Sequence, residues 1–476
     1  METLPTTPIS ILERFNRWIQ ESIMIKLFSI GFLILILLIP SKWITDLIYE
    51  REERANEAAQ EVADKWSGPQ TVYGPMLVVP YRKQEIVEND KHEKQIRETI
   101  DKAFFLPEQL QTDGTVDTET RGRGIFNTIV YSSNLKMKIT FGTPDFKSLS
   151  IADDKVLWNE AYMVLGLSDL RGIRDTPDMQ VGGIAIPAEP SNDIGVSYRL
   201  PPRAYNDNDV HVSAVNTGDS HTYGIVAKLN WASAQSFKGD VNINLKLKGS
   251  TRLNFLPTGK TTSVKLTSPW QHPSFDGEFL PDERKVSESG FVASWKVLHF
   301  NRPFSQQWTG TDEQLNGGDF GVKFLIPVDQ YQMTMRTSKY SVLIILLTFV
   351  ALFLVEMTQK IRIHPFQYIL VGAALIIYYT LLLSLSEQDK IGFHLGYIIA
   401  SGMTVALISF YSLSFLRSGK LSILFSLLLI IFYSFIFVII LQQDFSLLLG
   451  SIGLFLIVGL LMYFSRKINW YNEPVV

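Results

Sequence analysis

Between residues 340 and 465 the chain passes through five charge-free stretches, 340–355, 363–386, 391–416, 421–443 and 445–465, of 16, 24, 26, 23 and 21 residues. A helix needs about 20 apolar residues to cross a hydrocarbon core roughly 30 Å thick. In lipid the backbone must pair its own polar groups, which leaves helices as the natural solution for such runs. Four stretches meet the length outright, and the first reaches it by drawing a turn from beyond its flanking charges. A further segment near the start, 27–41, has 15 residues without a charge. Lys26 and Lys42 can lie along apolar surface with their ammonium groups in water, which lengthens it. The following "PSKWITDLIYE" lacks an A-x-A-like cleavage pattern, so this segment reads as an uncleaved signal anchor. Six spanning helices are therefore expected.

Orientation follows from Lys and Arg in the short loops, which resist export. With the N-terminus inside, the inside segments carry Lys360, Arg362, Arg417, Lys420, Arg466 and Lys467. The outside loops carry only Lys390, beside Glu387 and Asp389, and the acidic Asp444. Six against one, in the correct alternation, predicts cytoplasmic termini and an extracytoplasmic insert between helices one and two. In "VEMTQKIRIHPFQY", Lys360 and Arg362 thus read as topology determinants. Glu356 and His364 lie nearer the apolar boundary and invite a proton-relay role, but at a helix end an ionisable group reaches water at little cost.

The insert has a different periodicity. Residues 10–26 place Ser10 and Glu13 at capping-box spacing ahead of an amphipathic stripe, which predicts either a short helix on the membrane face or a simple extension of the next segment. A charged helix continues over 49–66 and stops at Gly68-Pro69. Beyond it, "VNINLKLKG", "LKMKITF" and "GFVASWKV" alternate apolar and polar residues, the habit of antiparallel sheets with one face buried. Turn clusters such as "PAEPSND" and "YNDND" separate them. The predicted organisation is a cytoplasmic segment 1–26, helix one over 27–48, a linker helix 49–66, an all-β, sandwich-like periplasmic domain of one or two subdomains over 67–337, five helices over 338–465 and a cytoplasmic tail 466–476.

Candidate chemistry is sparse. With no cysteine there is no disulfide framework, Cys-type zinc site or thiol nucleophile. A net charge of −3 without a basic tail or helix gives no sign of nucleic acid. "SPWQHPSFDGEFLP" gathers His272, Asp276, Asp282 and Glu283 near Ser268 and Ser274, but no G-x-S-x-G or S-x-x-K motif accompanies them, so an ordered loop is the stronger reading than a hydrolase triad. His211 and His221, near Asp207 and Asp209, could meet across a hairpin, but the seven histidines form no H-x-x-x-H pair. Gly68-Pro69 and Gly74-Pro75 suit a fixed turn and a bulged or edge strand. Gly392 and Gly396 have helix-packing spacing. Tyr378, Tyr379, Tyr397 and Tyr411 read as interfacial anchors or packing residues, and Thr348, Thr380, Ser401 and Thr404 are the few polar candidates for a bundle interior. No catalytic, cofactor-binding or metal residue is assigned.

Several stretches resemble the CreD-type cell-envelope integrity inner-membrane protein family: "WSGPQTVYGPMLVVP" at 66–80, "GLSDLRGI" at 166–173, "NFLPTGKTTSVKLTSPWQHPSFDGEFLP" at 254–281, "VDQYQMTMRTSKY" at 328–340 and "HPFQYILVGAALIIYYTLLLSLSE" at 364–387. The resemblance implies an inner-membrane protein of Gram-negative-type bacteria tied to envelope stress, colicin tolerance and the β-lactam response; it brings no catalytic motif. The expected function is therefore non-enzymatic and without a cofactor. The β domain would bind an envelope protein or a cell-wall or lipid ligand while the helices sit in the bilayer. Transport or lipid handling by the helices is the alternative, and a periplasmic hydrolase the third.

Overall fold

A computed structural model describes residues 23–466 apart from 89–93, 125, 199–222, 312, 325–329, 360, 389, 417 and 443–444. The chain forms two compact units, one of residues 1–54 with 328–476 and one of 55–327. Residues 10–22 of the amphipathic stretch expected over 10–26, and His211, His221, Asp207 and Asp209, lie outside the described residues, as do Lys360, Arg417 and Lys467.

The helix unit begins with α1, Ile23–Trp66, a single helix that continues through Pro40 and ends just before Ser67-Gly68-Pro69. After the β unit come α2 (Gln330–Lys339), α3 (Ser341–Gln359), α4 (Pro365–Ser386), α5 (Gly392–Leu416), α6 (Gly419–Leu441) and α7 (Ser446–Ser465). Five of the described helices, α1 and α3 to α6, are long and apolar enough to cross a membrane, which corrects the expected six. The last expected span is helical as α7, Ser446–Ser465, with Leu448–Leu460 as its described apolar stretch. Ile30, Leu33 and Leu37 recur at three- and four-residue spacing on α1 and join the core of this unit. Leu37 reaches the surface of α4 at Gly372, where an added Cβ would collide with it.

The β unit contains two sheets. The first runs β13 (Pro273–Gly277), β17 (Phe320–Phe324), β11 (Arg252–Phe255), β1 (Gln70–Glu88), β5 (Tyr162–Leu167), β9 (Gly224–Lys228), β8 (Ala188–Ser191), with β2 (Lys94–Phe105) also on β1 and β16 (Gln307–Thr309) on β2. The second runs β14 (Glu283–Ser287), β15 (Gly290–Leu298), β12 (Thr261–Ser268), β3 (Gln109–Arg123), β4 (Phe126–Thr140), β10 (Asp240–Ser250), β6 (Asp178–Val181), β7 (Ile184–Ile186). One core draws on both sheets: Leu77, Leu165 and Val322 from the first pack with Met137, Leu245 and Trp295 from the second. This is the sandwich that alternation predicts, since second-sheet strands such as β4, β10, β12 and β15 each offer one apolar face. The first sheet is covered on its other face as well, where Tyr73, Met76, Val78 and Phe104 meet Ile194, Tyr198, Leu256 and Trp308.

Gly74-Pro75 sits where the pairing of β1 with β5 shifts register between Tyr73 and Met76. Gly74 has φ +101°, a conformation open to glycine at no steric cost. The bulge expected from this dipeptide is present, and the Thr258 hydroxyl donates to the Gly74 carbonyl at 3.0 Å.

Candidate functional site

In the β unit, stretches far apart in sequence converge on Asp169. Its carboxylate accepts from the Ser67 hydroxyl and Gly68 N–H at 3.1 Å each, and from the Arg171 backbone N–H, Nε and Nη2 at 2.9–3.2 Å. Gln70 donates to the Asp169 carbonyl at 2.9 Å. Arg171 also donates to the Asp64 carbonyl at 2.7 Å, satisfying an acceptor in the last turn of α1. The "WSGPQ" and "LSDLRG" segments therefore form one hydrogen-bonded corner. Burial pushes the Asp169 pKa up, but the Arg171 and Gly68 donors outweigh it and hold the pKa below the usual carboxylate value. A depressed carboxyl contributes stability above its unfolded pKa and loses it as pH falls through the folded value. Asp169→Asn is expected to cost about 1–3 kcal/mol at pH 7, and the difference from wild type should shrink below about pH 4; denaturant unfolding at the two pH values checks both.

One concavity of this unit is a cleft of about 390 Å³ lined by Glu278, Phe279, Leu280, Asp282, Trp295, Lys296, Val297 and Asn301. Two bonds arch the 278–282 segment over β15: Trp295 Nε1 donates to the Phe279 carbonyl at 3.2 Å and the Lys296 N–H to Asp282 at 2.7 Å. Beside it, Arg302 is buried and donates to the Ser305 carbonyl at 3.2 Å and to Phe304 and Gln306, fixing the next loop. Burial lowers its pKa to about 10.

The hydrolase candidates are dispersed. His272 is exposed, Asp276 pairs with Arg252 at 2.8 Å, Asp282 holds β15, Glu283 is on exposed β14, Ser274 lies in β13, and Ser268 accepts from the Trp270 N–H. Among the described residues, no group of three or more His, Cys, Asp or Glu could hold a metal.

The helix unit contains two buried carboxylates. Glu356, on the last turns of α3, has a side chain 2% exposed. One oxygen accepts from Lys26 Nζ of α1 at 2.7 Å and the Ile363 N–H at 3.2 Å; the other accepts from the Tyr368 hydroxyl of α4 at 3.1 Å. Glu387 terminates α4, with a side chain 9% exposed. It accepts a two-pronged pair from Arg51 Nε and Nη2 of α1 at 2.7 and 2.8 Å, and the Tyr331 hydroxyl of α2 at 3.0 Å. Lys26 and Arg51 are 25 residues apart on one helix, about 38 Å, so the two clusters bracket a length matching a bilayer core and its inner headgroups.

His364 is exposed and accepts from the Phe366 N–H as the cap of α4, and Arg362 is exposed. Neither joins Glu356. Gly396 lies where α5 approaches α4, an added Cβ meeting Ser386 at 3.2 Å, whereas Gly392 starts α5 with φ +61°. Tyr378, Tyr379 and Tyr397 are buried in the unit's core, with Tyr433, and are not interfacial anchors; Tyr411 is half-buried. Thr348 and Thr404 are buried, while Thr380 and Ser401 face outward or lie partly exposed.

A family model described as inner membrane protein CreD matches residues 22–471. The curated inner membrane protein CreD of Escherichia coli (strain K12) is 33% identical over 454 residues, which cover 94% of this chain and 93% of that protein.

Proposed function

Because the chain belongs to the family of the inner membrane protein CreD, and is thus a multi-pass inner-membrane protein of the envelope, we propose that its β unit is a periplasmic, non-catalytic module that binds another envelope component in support of envelope integrity. The observation that carries this reading is the cleft between the 278–282 arch and β15. Its volume is in the range of small-ligand sites, and it mixes apolar Phe279, Leu280 and Val297 with convergent polar groups from Glu278, Lys296 and Asn301. It is framed by the "FDGEFLP" stretch that carries the family resemblance.

The orientation proposed with it rests on basic residues. Lys26, Arg362 and Lys420 lie at helix ends that alternate onto one face, with Lys360 and Arg417 in the same segments, and that face is the cytoplasmic one. Arg466 and Lys467 follow α7 in the sequence.

The test is photo-crosslinking in cells with a reactive residue at Leu280, which is 68% exposed, and a control at Ile184 on β7. A discrete envelope protein, cell-wall fragment or lipid captured at 280 and absent at 184 is the expected result. Equal capture at both positions, with and without a cell-wall antibiotic, overturns the assignment of the cleft.

A further inference from the structure

The buried tyrosines of the helix unit are more than ring packing. Tyr378 and Tyr379 of α4, Tyr397 of α5 and Tyr433 of α6 are each 2% exposed or less. Tyr378 contacts the rings of Tyr379 and Tyr433 at 4.8 Å and Tyr397 at 5.9 Å, so four phenols from three helices share one place. Tyr397 donates to the Tyr433 carbonyl at 2.8 Å, and its hydroxyl also interacts with that of Tyr378. The hydroxyls of Tyr378, Tyr379 and Tyr433 have no hydrogen-bond partner of normal geometry among the described residues, and neither does Ser386 Oγ.

Phenylalanine would pack these rings equally well. A phenolic O–H in an apolar helix core is costly unless it is bonded, and polar groups inside spanning helices face functional interiors. Three such donors at one point call for an acceptor. The cluster lies toward the Glu387 end: Tyr378 is nine residues from Glu387 along α4, about 13 Å, and Tyr397 is five residues from the start of α5, about 8 Å. Ser386, unpaired and packed against Gly396, stands between. The short α2, whose buried face includes Tyr331, Thr334 and Thr337, packs against α4, α5 and α6.

We propose that Tyr378, Tyr379 and Tyr433 form a binding site inside the helix unit for a hydrogen-bond-accepting oxygen admitted from the Glu387 end past Ser386, either a lipid ester or phosphate oxygen or water. The site is independent of what the β domain binds.

Tyr378→Phe, Tyr379→Phe and Tyr433→Phe in the detergent-purified full chain test it, with Tyr411→Phe as control. If the hydroxyls hold a shared oxygen, each of the three lowers the melting temperature by about 2–4 °C, and their effects are less than additive because one ligand is lost. Native mass spectrometry then assigns the source. A phospholipid adduct on wild type that disappears in the variants identifies a lipid oxygen; no adduct, with hydroxyl-radical labelling of Tyr379 and Tyr433 despite their burial, identifies water. Unchanged or raised melting temperatures in all three variants overturn the site, since they would show hydroxyls that bond nothing.

Discussion

Glu387→Ala is expected to destabilise the helix unit by about 3 kcal/mol, read as a lower unfolding midpoint of the detergent-purified protein. The change strips Arg51 of both carboxylate bonds and leaves the buried Tyr331 hydroxyl without the acceptor at 3.0 Å. Breaking a buried pair from one side costs roughly 3–5 kcal/mol, and Arg51, with a side chain 25% exposed, can recover some hydration. The lower end of the range is therefore the expected value. Arg51→Lys should lose part of the same stability, because an ammonium cannot reproduce the two-pronged bond. In the cycle Arg51→Ala, Glu387→Ala and both together, the coupling should exceed 1 kcal/mol. A Glu387→Ala protein that melts with wild type would show that the cluster contributes nothing. Arg51 and Tyr331 lie just inside the two points where the chain leaves and re-enters the helix unit. One carboxylate thus ties α1 to α2 within the helix unit.

This cluster also shows what the sequence reveals and what it hides. Arg51 and Glu387 are 336 residues apart and Lys26 and Glu356 are 330 apart, so no local spacing pairs them. The loop-charge alternation nonetheless places each pair at the same predicted membrane face, and a charge isolated at the edge of an apolar run invites a partner there. The topological reading of "VEMTQKIRIHPFQY" stopped one step short, treating Glu356 as able to reach water when its side chain is 2% exposed. Second-sheet strands are legible because one face is buried: β10 alternates buried and exposed residues along nearly its whole length. β1 is not, since residues 72–79 are buried on both faces and read as a continuous apolar run. The tyrosines stay open between interfacial anchor and packing residue in the sequence for a related reason. An aromatic with a polar tip fits an interface by type, and only helix packing shows that Tyr378, Tyr397 and Tyr433 meet in a core.

The Lys26–Glu356 cluster permits a separation of stability from function. Lys26→Ala leaves a carboxylate 2% exposed with only the Tyr368 hydroxyl and Ile363 N–H, and is expected to cost about 3–5 kcal/mol. Glu356→Ala removes the acceptor of all three donors and should cost a similar amount, moderated because Lys26, with a side chain 24% exposed, can extend to water. A buried ion pair replaced on both sides by apolar groups of similar volume is often neutral in stability, so Lys26→Met with Glu356→Leu should recover most of the loss, less the bonds to Tyr368 and Ile363. Thermal melts of the four proteins measure this. If the pair only ties α1 and α4 to α3, the double variant should also restore growth of a deletion strain challenged with a cell-wall antibiotic. A double variant that melts with wild type and fails to restore growth would give the buried carboxylate a chemical role, and would put the proton-relay reading of Glu356 ahead of the structural one.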